Sequence, residues 1–248
     1  MKKLITLLLA VVMLLNISPV LGESADAAAM QRAREALEKL GYPVSDRSYA
    51  MVLEQHRRTQ EWYAQADVLP LDTFASQSNW VYQLLLWEGL GEYDYDALTW
   101  MPTSDKIYVF DVEFFNIEGM YTEFLQGVQA IMPETKITGV REDLSGMHED
   151  LEGERKVFFE CNDHSYVVTL KSQGDWLDTG IIDFLNQVLK VEGFEKQLHI
   201  VSDAWDQIVF LIYGTEEDAA ALRRLMGVKE STQFANPLMD WLSSILGI

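Results

Sequence analysis

Cysteine is almost missing from this chain. Cys161 is the only one in 248 residues, which excludes an intramolecular disulfide and leaves stability to a packed core. A chain of this length can build such a core, because domains of this size bury most of the surface their unfolded chains expose. Basic charge is scarce as well: 19 Lys and Arg stand against 39 Asp and Glu, for a formal net charge of −20. So negative a chain is unsuited to nucleic acid or to anionic membrane faces, where binding rests on neutralising phosphates. It suits solubility and positively charged partners.

Ligand and cofactor motifs are missing too. The four histidines, His56, His148, His164 and His199, have no metal-ligand spacing, and neither HExxH nor CxxC occurs, so no metal site is assigned. GxSxG, P-loop and GxGxxG motifs are absent, and no cofactor is expected. The N-terminal apolar stretch, residues 4–15 with Thr6 as its one hydroxyl residue, is shorter than the ~20 residues a spanning helix needs.

That run sits in a secretory signal pattern. Lys2 and Lys3 form a positive start, residues 4–15 an apolar centre, and Asn16, Ser18 and Pro19 break it before Val20-Leu21-Gly22. Cleavage is expected after Gly22, making residues 1–22 a signal peptide; an uncleaved N-terminal anchor is the alternative. The lysine pair before a plain apolar run has a bacterial look. The mature chain is then expected to be secreted, extracellular or cell-wall-associated, with no stable insertion in a membrane.

Residues 156–191 are the best-marked stretch. Asn162-Asp163 suits a two-residue type I′ turn, since Asn and Asp tolerate positive φ. Counting outward, Cys161 faces His164, Phe159 faces Tyr166 and Val157 faces Val168, all on one mostly apolar side. A one-residue slip would scatter that set over both faces. A helix capped by Asp175 follows, with Leu177, Ile181, Phe184, Leu185, Val188 and Leu189 in one stripe. Residues 197–227 read as a looser copy: two strands, then a helix opened by Thr215 and closed by Gly227. Residues 97–131 read as a third such unit in outline, with strands at 97–101 and 106–115 and a helix at 119–131.

Residues 23–91 read as a helical segment of three helices: 24–40, from Ser45 or Asp46 to about 66, and from Asp72 or Thr73 to about 88. Residues 92–230 form the sheet domain, in which 136–141 reads as a strand and 142–154 as an acidic, glycine-containing loop. Residues 231–248 read as a polar linker and a short apolar C-terminal helix. The fold class expected is α+β: an N-terminal helical segment, then a mostly antiparallel sheet of strand–strand–helix units with helices on one face.

Two constellations carry candidate chemistry. Asp111 and Glu113 alternate with Tyr108, Phe110, Val112 and Phe114, so both carboxylates face one way, about 6.7 Å apart at strand rise. Such a pair can divide acid and base roles in glycoside hydrolysis; the plainer reading is a solvated strand face. Tyr93, Asp94, Tyr95, Asp96 and Trp100 mix aromatics with acids, and could stack on sugar rings or hold Ca²⁺ through oxygen. The plainer reading there is an acidic connector with its rings on the core. Cys161 and His164 flank one turn, but a thiol on the apolar face is an inert one. The function expected is a non-catalytic module that binds a ligand or another protein, with a secreted hydrolase acting on glycan or cell wall through Asp111 and Glu113 as the alternative.

Overall fold

The structure is a computed structural model, and it describes residues 25–66, 80–94, 99–202 and 207–228. The signal pattern, the start of the third helix, Tyr95, Asp96 and everything after residue 228 lie outside the described residues. Among the described residues six helices and eight strands follow in the order α1 (Ala25–Lys39), α2 (Asp46–Ala66), α3 (Trp80–Gly89), β1 (Glu92–Asp94), β2 (Thr99–Met101), β3 (Ile107–Asp111), α4 (Met120–Ile131), β4 (Ile137–Met147), β5 (Glu152–Cys161), β6 (His164–Gln173), α5 (Gly180–Val191), β7 (Gln197–Ile200), β8 (Ile208–Gly214) and α6 (Glu216–Met226). Every strand pairing among the described residues is antiparallel. The fold is α+β, with the N-terminal helices preceding the sheets.

The organising element is the three-stranded sheet β3–β8–β7. Alternation along β3 and β8 sends their side chains into two separate cores. Tyr108, Phe110, Val209 and Leu211 enter a core shared with α4, α5 and the sheet β4–β5–β6. Ile107, Val109, Phe210 and Ile212 enter a second core built with α1, α2, α3 and α6. The central strands are therefore apolar at nearly every position, as two-sided burial requires. Helices lie on both faces of this sheet, not on one. A single strand cannot reveal from its own pattern how the two sides are covered.

The β5–β6 hairpin forms as its turn chemistry demands. Asn162 and Asp163 both take positive φ, 48° and 69°. The pairs are Cys161 with His164, Phe159 with Tyr166 and Val157 with Val168, with Val157, Phe159 and Cys161 buried. The β7–β8 hairpin and α6 reproduce the strand–strand–helix order. Thr215 closes a reciprocal capping box with Asp218, and Gly227 ends the helix in the left-handed conformation.

Several further expectations are corrected. Residues 142–154 are not a loop: β4 runs on to Met147, and β5 begins at Glu152 and continues the pairing. Acidic side chains and glycines disguise these strands, because much of this hairpin is solvated. The 97–131 stretch does not hold a local hairpin. β2 pairs with β1, while β3 pairs with β8, roughly a hundred residues later in the chain. The strand 106–115 is shorter than expected and stops at Asp111. Finally, Asp175 does not cap α5. Thr179 holds that position, and the Asp178 carboxylate accepts from Gly180 N–H at 2.9 Å and Lys171 N–H at 3.0 Å. Phe184 is only half-buried, edge-on to Phe159, whereas Ile182 joins the buried stripe.

Candidate functional site

After β3 the chain leaves its sheet and is caught by the segment before α5. Val112 C=O accepts from Leu177 N–H at 2.7 Å, and Phe114 N–H donates to Asp175 C=O at 2.7 Å. This places Glu113 opposite Trp176. Val112, Phe114 and Leu177 are buried, and the residues between them are turned outward. Trp176 N–H donates to Gln173 C=O at 3.3 Å, and Gly174 N–H to Leu151 C=O at 3.1 Å. Backbone bonds thus stitch the end of β3, the tip of β4–β5 and the end of β6 into one surface.

That surface carries three large exposed apolar side chains: Phe115 at 64%, Trp176 at 46% and Leu151 at 39% exposure. Leu151 holds a positive φ of 66°, a conformation that costs a branched side chain roughly 1–2 kcal/mol. An open groove here is lined, among the described residues, by Asp150, Glu152, Glu154 and Asp175, by Lys171 as the one cationic residue, and by Trp176. Four acids against one base give the groove a negative potential.

Asp111 and Glu113 sit at the edge of this region. The Asp111 carboxylate accepts from Glu113 N–H at 2.9 Å, and the Glu113 carboxylate accepts from Gln207 Nε2 at 2.9 Å. Burial pushes the Asp111 carboxyl above its ordinary range, and the charge of Asp175 adds to this; bonds from Glu113 and Gln207 offset part of it. Both carboxylates accept hydrogen bonds from protein donors.

The aromatic and acidic set at 93–100 behaves differently. Tyr93 pairs across strands with Trp100, and Asp94 with Thr99. Tyr93 is exposed. Trp100 is not a free platform: its indole N–H donates to Leu90 C=O at 2.9 Å, and its ring lies 5.3 Å from that of Tyr108 on the core. Among the described residues no three His, Cys, Asp or Glu side chains gather as a metal site.

Cys161 is buried, and burial first, then the charge of Glu192, pushes its thiol up to about 11. His164, across the turn, is turned outward with Nδ1 2.8 Å from Glu192. The Tyr166 hydroxyl donates to the same carboxylate. Those bonds, that of Tyr166 foremost, hold the Glu192 carboxyl below its usual range. The arrangement ties the hairpin to the end of α5 and leaves the thiol protonated, the opposite of what a nucleophile needs.

A further polar tie joins the two hairpin strands to a helix. Arg155, fully buried, donates to the Glu142 carboxylate at 2.9 Å and to Ile117 C=O at 2.7 Å. The other Glu142 oxygen accepts from Thr122 N–H and its hydroxyl, both at 2.9 Å, at the positive end of α4. Sequence reasoning missed this pair because it had assigned Glu142 and Arg155 no common strand pairing. It missed Trp176 and Phe115 because each borders a buried residue and alternation assigned neither to a site. An aromatic within Gly174-Asp175-Trp176, a polar turn sequence, was the one available signal.

No protein-family model matches this chain, and neither does any curated protein or solved structure. Its class is accordingly structural: an α+β chain with one three-stranded sheet packed between two cores. Among the described residues no helix is long and apolar enough to cross a membrane.

Proposed function

We propose that this chain is an exported, non-catalytic protein-binding module of bacterial type. Its contact surface is the acidic groove that Trp176 helps to line, together with the exposed Leu151, between the groove residues Asp150 and Glu152, and the exposed Phe115, next to the Phe114 that bonds to Asp175. The observation that carries the reading is the exposure of those three side chains on segments that backbone hydrogen bonds hold together. Exposed apolar patches rimmed by charge are costly to keep in water and mark contact sites. The export part rests on the lysine pair, apolar run and cleavage pattern of residues 1–22.

Capture from culture medium and cell-surface extract tests it. The wild-type chain should retain a partner that Trp176→Ala and Leu151→Gly chains retain at least tenfold less. Glycine removes the strained left-handed leucine, so that variant should fold at least as well. Equal capture by all three chains overturns the reading.

The rival reading, a secreted glycan or cell-wall hydrolase, draws on the raised Asp111 carboxyl, since a general acid must hold its proton. It predicts release of soluble sugar from cell-wall glycan by the wild type and at least a hundredfold loss in Glu113→Gln. The binding-module reading predicts no turnover by either.

A further inference from the structure

The sheet β4–β5–β6 has two edges, and they are not alike. β4 breaks register with β5 twice, between Thr138 and Arg141 and between Asp143 and Gly146. Such irregularities blunt an edge against further pairing. β6 pairs with β5 without a break over all ten of its residues.

The turn decides which backbone groups of β6 point outward. In a two-residue hairpin the flanking residues, Cys161 and His164, exchange both hydrogen bonds. The same then holds for Phe159 with Tyr166, Val157 with Val168 and Arg155 with Leu170. Ser165, Val167, Thr169, Lys171 and Gln173 therefore direct their N–H and C=O groups to the outer edge. Two contacts agree with this count: Lys171 N–H donates to Asp178, and Gln173 C=O accepts from Trp176. Ser165, Val167 and Thr169 are exposed, and their backbone groups have no hydrogen-bond partner outside the hairpin among the described residues.

The stretch Ser165-Tyr166-Val167-Val168-Thr169 contains no proline, glycine, lysine or other charge. Those are the devices that normally protect an edge strand. Past Thr169 the strand runs straight into the acidic groove, which Lys171, Gln173 and Trp176 help to line. An unprotected edge therefore ends at a negative, aromatic-walled cleft.

We infer that the outer edge of β6 at Ser165, Val167 and Thr169 takes an added antiparallel strand from a partner protein, whose preceding Lys or Arg residues seat in the groove against Asp150, Glu152, Glu154 and Trp176. Main-chain bonds supply affinity in this mode, and the groove supplies selectivity. Antiparallel addition places residues that precede the partner strand at the Gln173 end. The occupant is not a second copy, because two chains of net charge −20 repel. The inference rests on the binding-module reading and names its partner class.

The probe is the synthetic peptide Lys-Arg-Lys-Gly-Thr-Val-Thr-Val-Thr, with amide exchange of the full chain followed by NMR. Without peptide, the amides of Ser165, Val167 and Thr169 should exchange freely, while those of Tyr166 and Val168 are protected. Saturating peptide should slow the first three at least tenfold. A peptide N-methylated at alternate strand positions, and one with Glu in place of its Lys and Arg residues, should each bind at least tenfold more weakly. Val167→Pro should abolish binding and keep the native near-ultraviolet spectrum, because its N–H faces away from β5 and edges accept proline. If that chain misfolds, the N-methylated peptide still decides. Protection of the three amides in peptide-free protein that vanishes on dilution would put a second copy on the edge and overturn the inference. So would failure of the basic peptide to bind. Binding that survives N-methylation but is lost in Trp176→Ala overturns strand addition and leaves the module reading standing.

Discussion

Asp111 shows how one residue changes character with its setting. On a bare strand face it would be an ordinary ionised carboxylate. Here it is half-buried at the end of β3, and burial raises its carboxyl above the unfolded value. A raised acid adds stability that is complete below the unfolded value near 4 and is lost as pH rises through the folded one. Asp111→Asn keeps the oxygen that accepts from Glu113 N–H and removes the charge. That variant is expected to be more stable than wild type at pH 7, with the difference vanishing by about pH 3. Urea melts at the two pH values check it; a variant less stable at pH 7 would mean that bonds, and not burial, dominate at this site.

At the scale of elements, α5 and the β4–β5 hairpin make the sharpest contrasts. The stripe of α5 was legible from its 3.6-residue spacing, but spacing could not separate its centre from its rim. Leu185 is buried in the core, while Phe184 sits half-exposed against Phe159. Leu185→Ala should cost about 2–5 kcal/mol. Phe184→Ala should cost less, about 1–2 kcal/mol, chiefly the lost aromatic contact and partial burial. Equal shifts in a urea melt would contradict that placement.

The Arg155–Glu142 pair belongs to the same scale, because it clamps two strands to the start of α4. Arg155→Ala strands a buried carboxylate and should cost about 3–5 kcal/mol. Arg155→Met with Glu142→Leu should recover much of that loss, since an apolar pair of similar size removes both charges. If the double variant is as unstable as the single one, the pair contributes through its bonds to Ile117 and Thr122 and not through its charges.

For the whole molecule the decisive feature is a sheet buried on both sides. Phe210 and Leu211 are neighbours on β8, yet they belong to different cores. Truncating either to alanine should cost about 3–5 kcal/mol for Phe210 and 2–5 for Leu211, a pattern that a half-solvated strand cannot give. The amides of Val209–Ile212 should also exchange most slowly in the chain, because they open only with global unfolding. Faster exchange there than in the β5–β6 hairpin would mean that the two cores unfold separately.

What the sequence determined by itself is local. The turn at Asn162-Asp163 set the register of β5 and β6, since only residues tolerant of positive φ close a two-residue hairpin. Thr215, Asp218 and Gly227 set the ends of α6 through their own hydrogen bonds and backbone freedom. Alternation and helical spacing marked the apolar faces, and with them the α+β class. What tertiary structure alone decided is non-local. β3 found β8 and not β2, residues 142–147 and 152–154 became strands through their partners, and Trp176 met Glu113 because the chain end of β3 needed backbone partners. Those outcomes depend on which distant segments bury each other's faces and satisfy each other's main chain, and no short window of sequence holds that information.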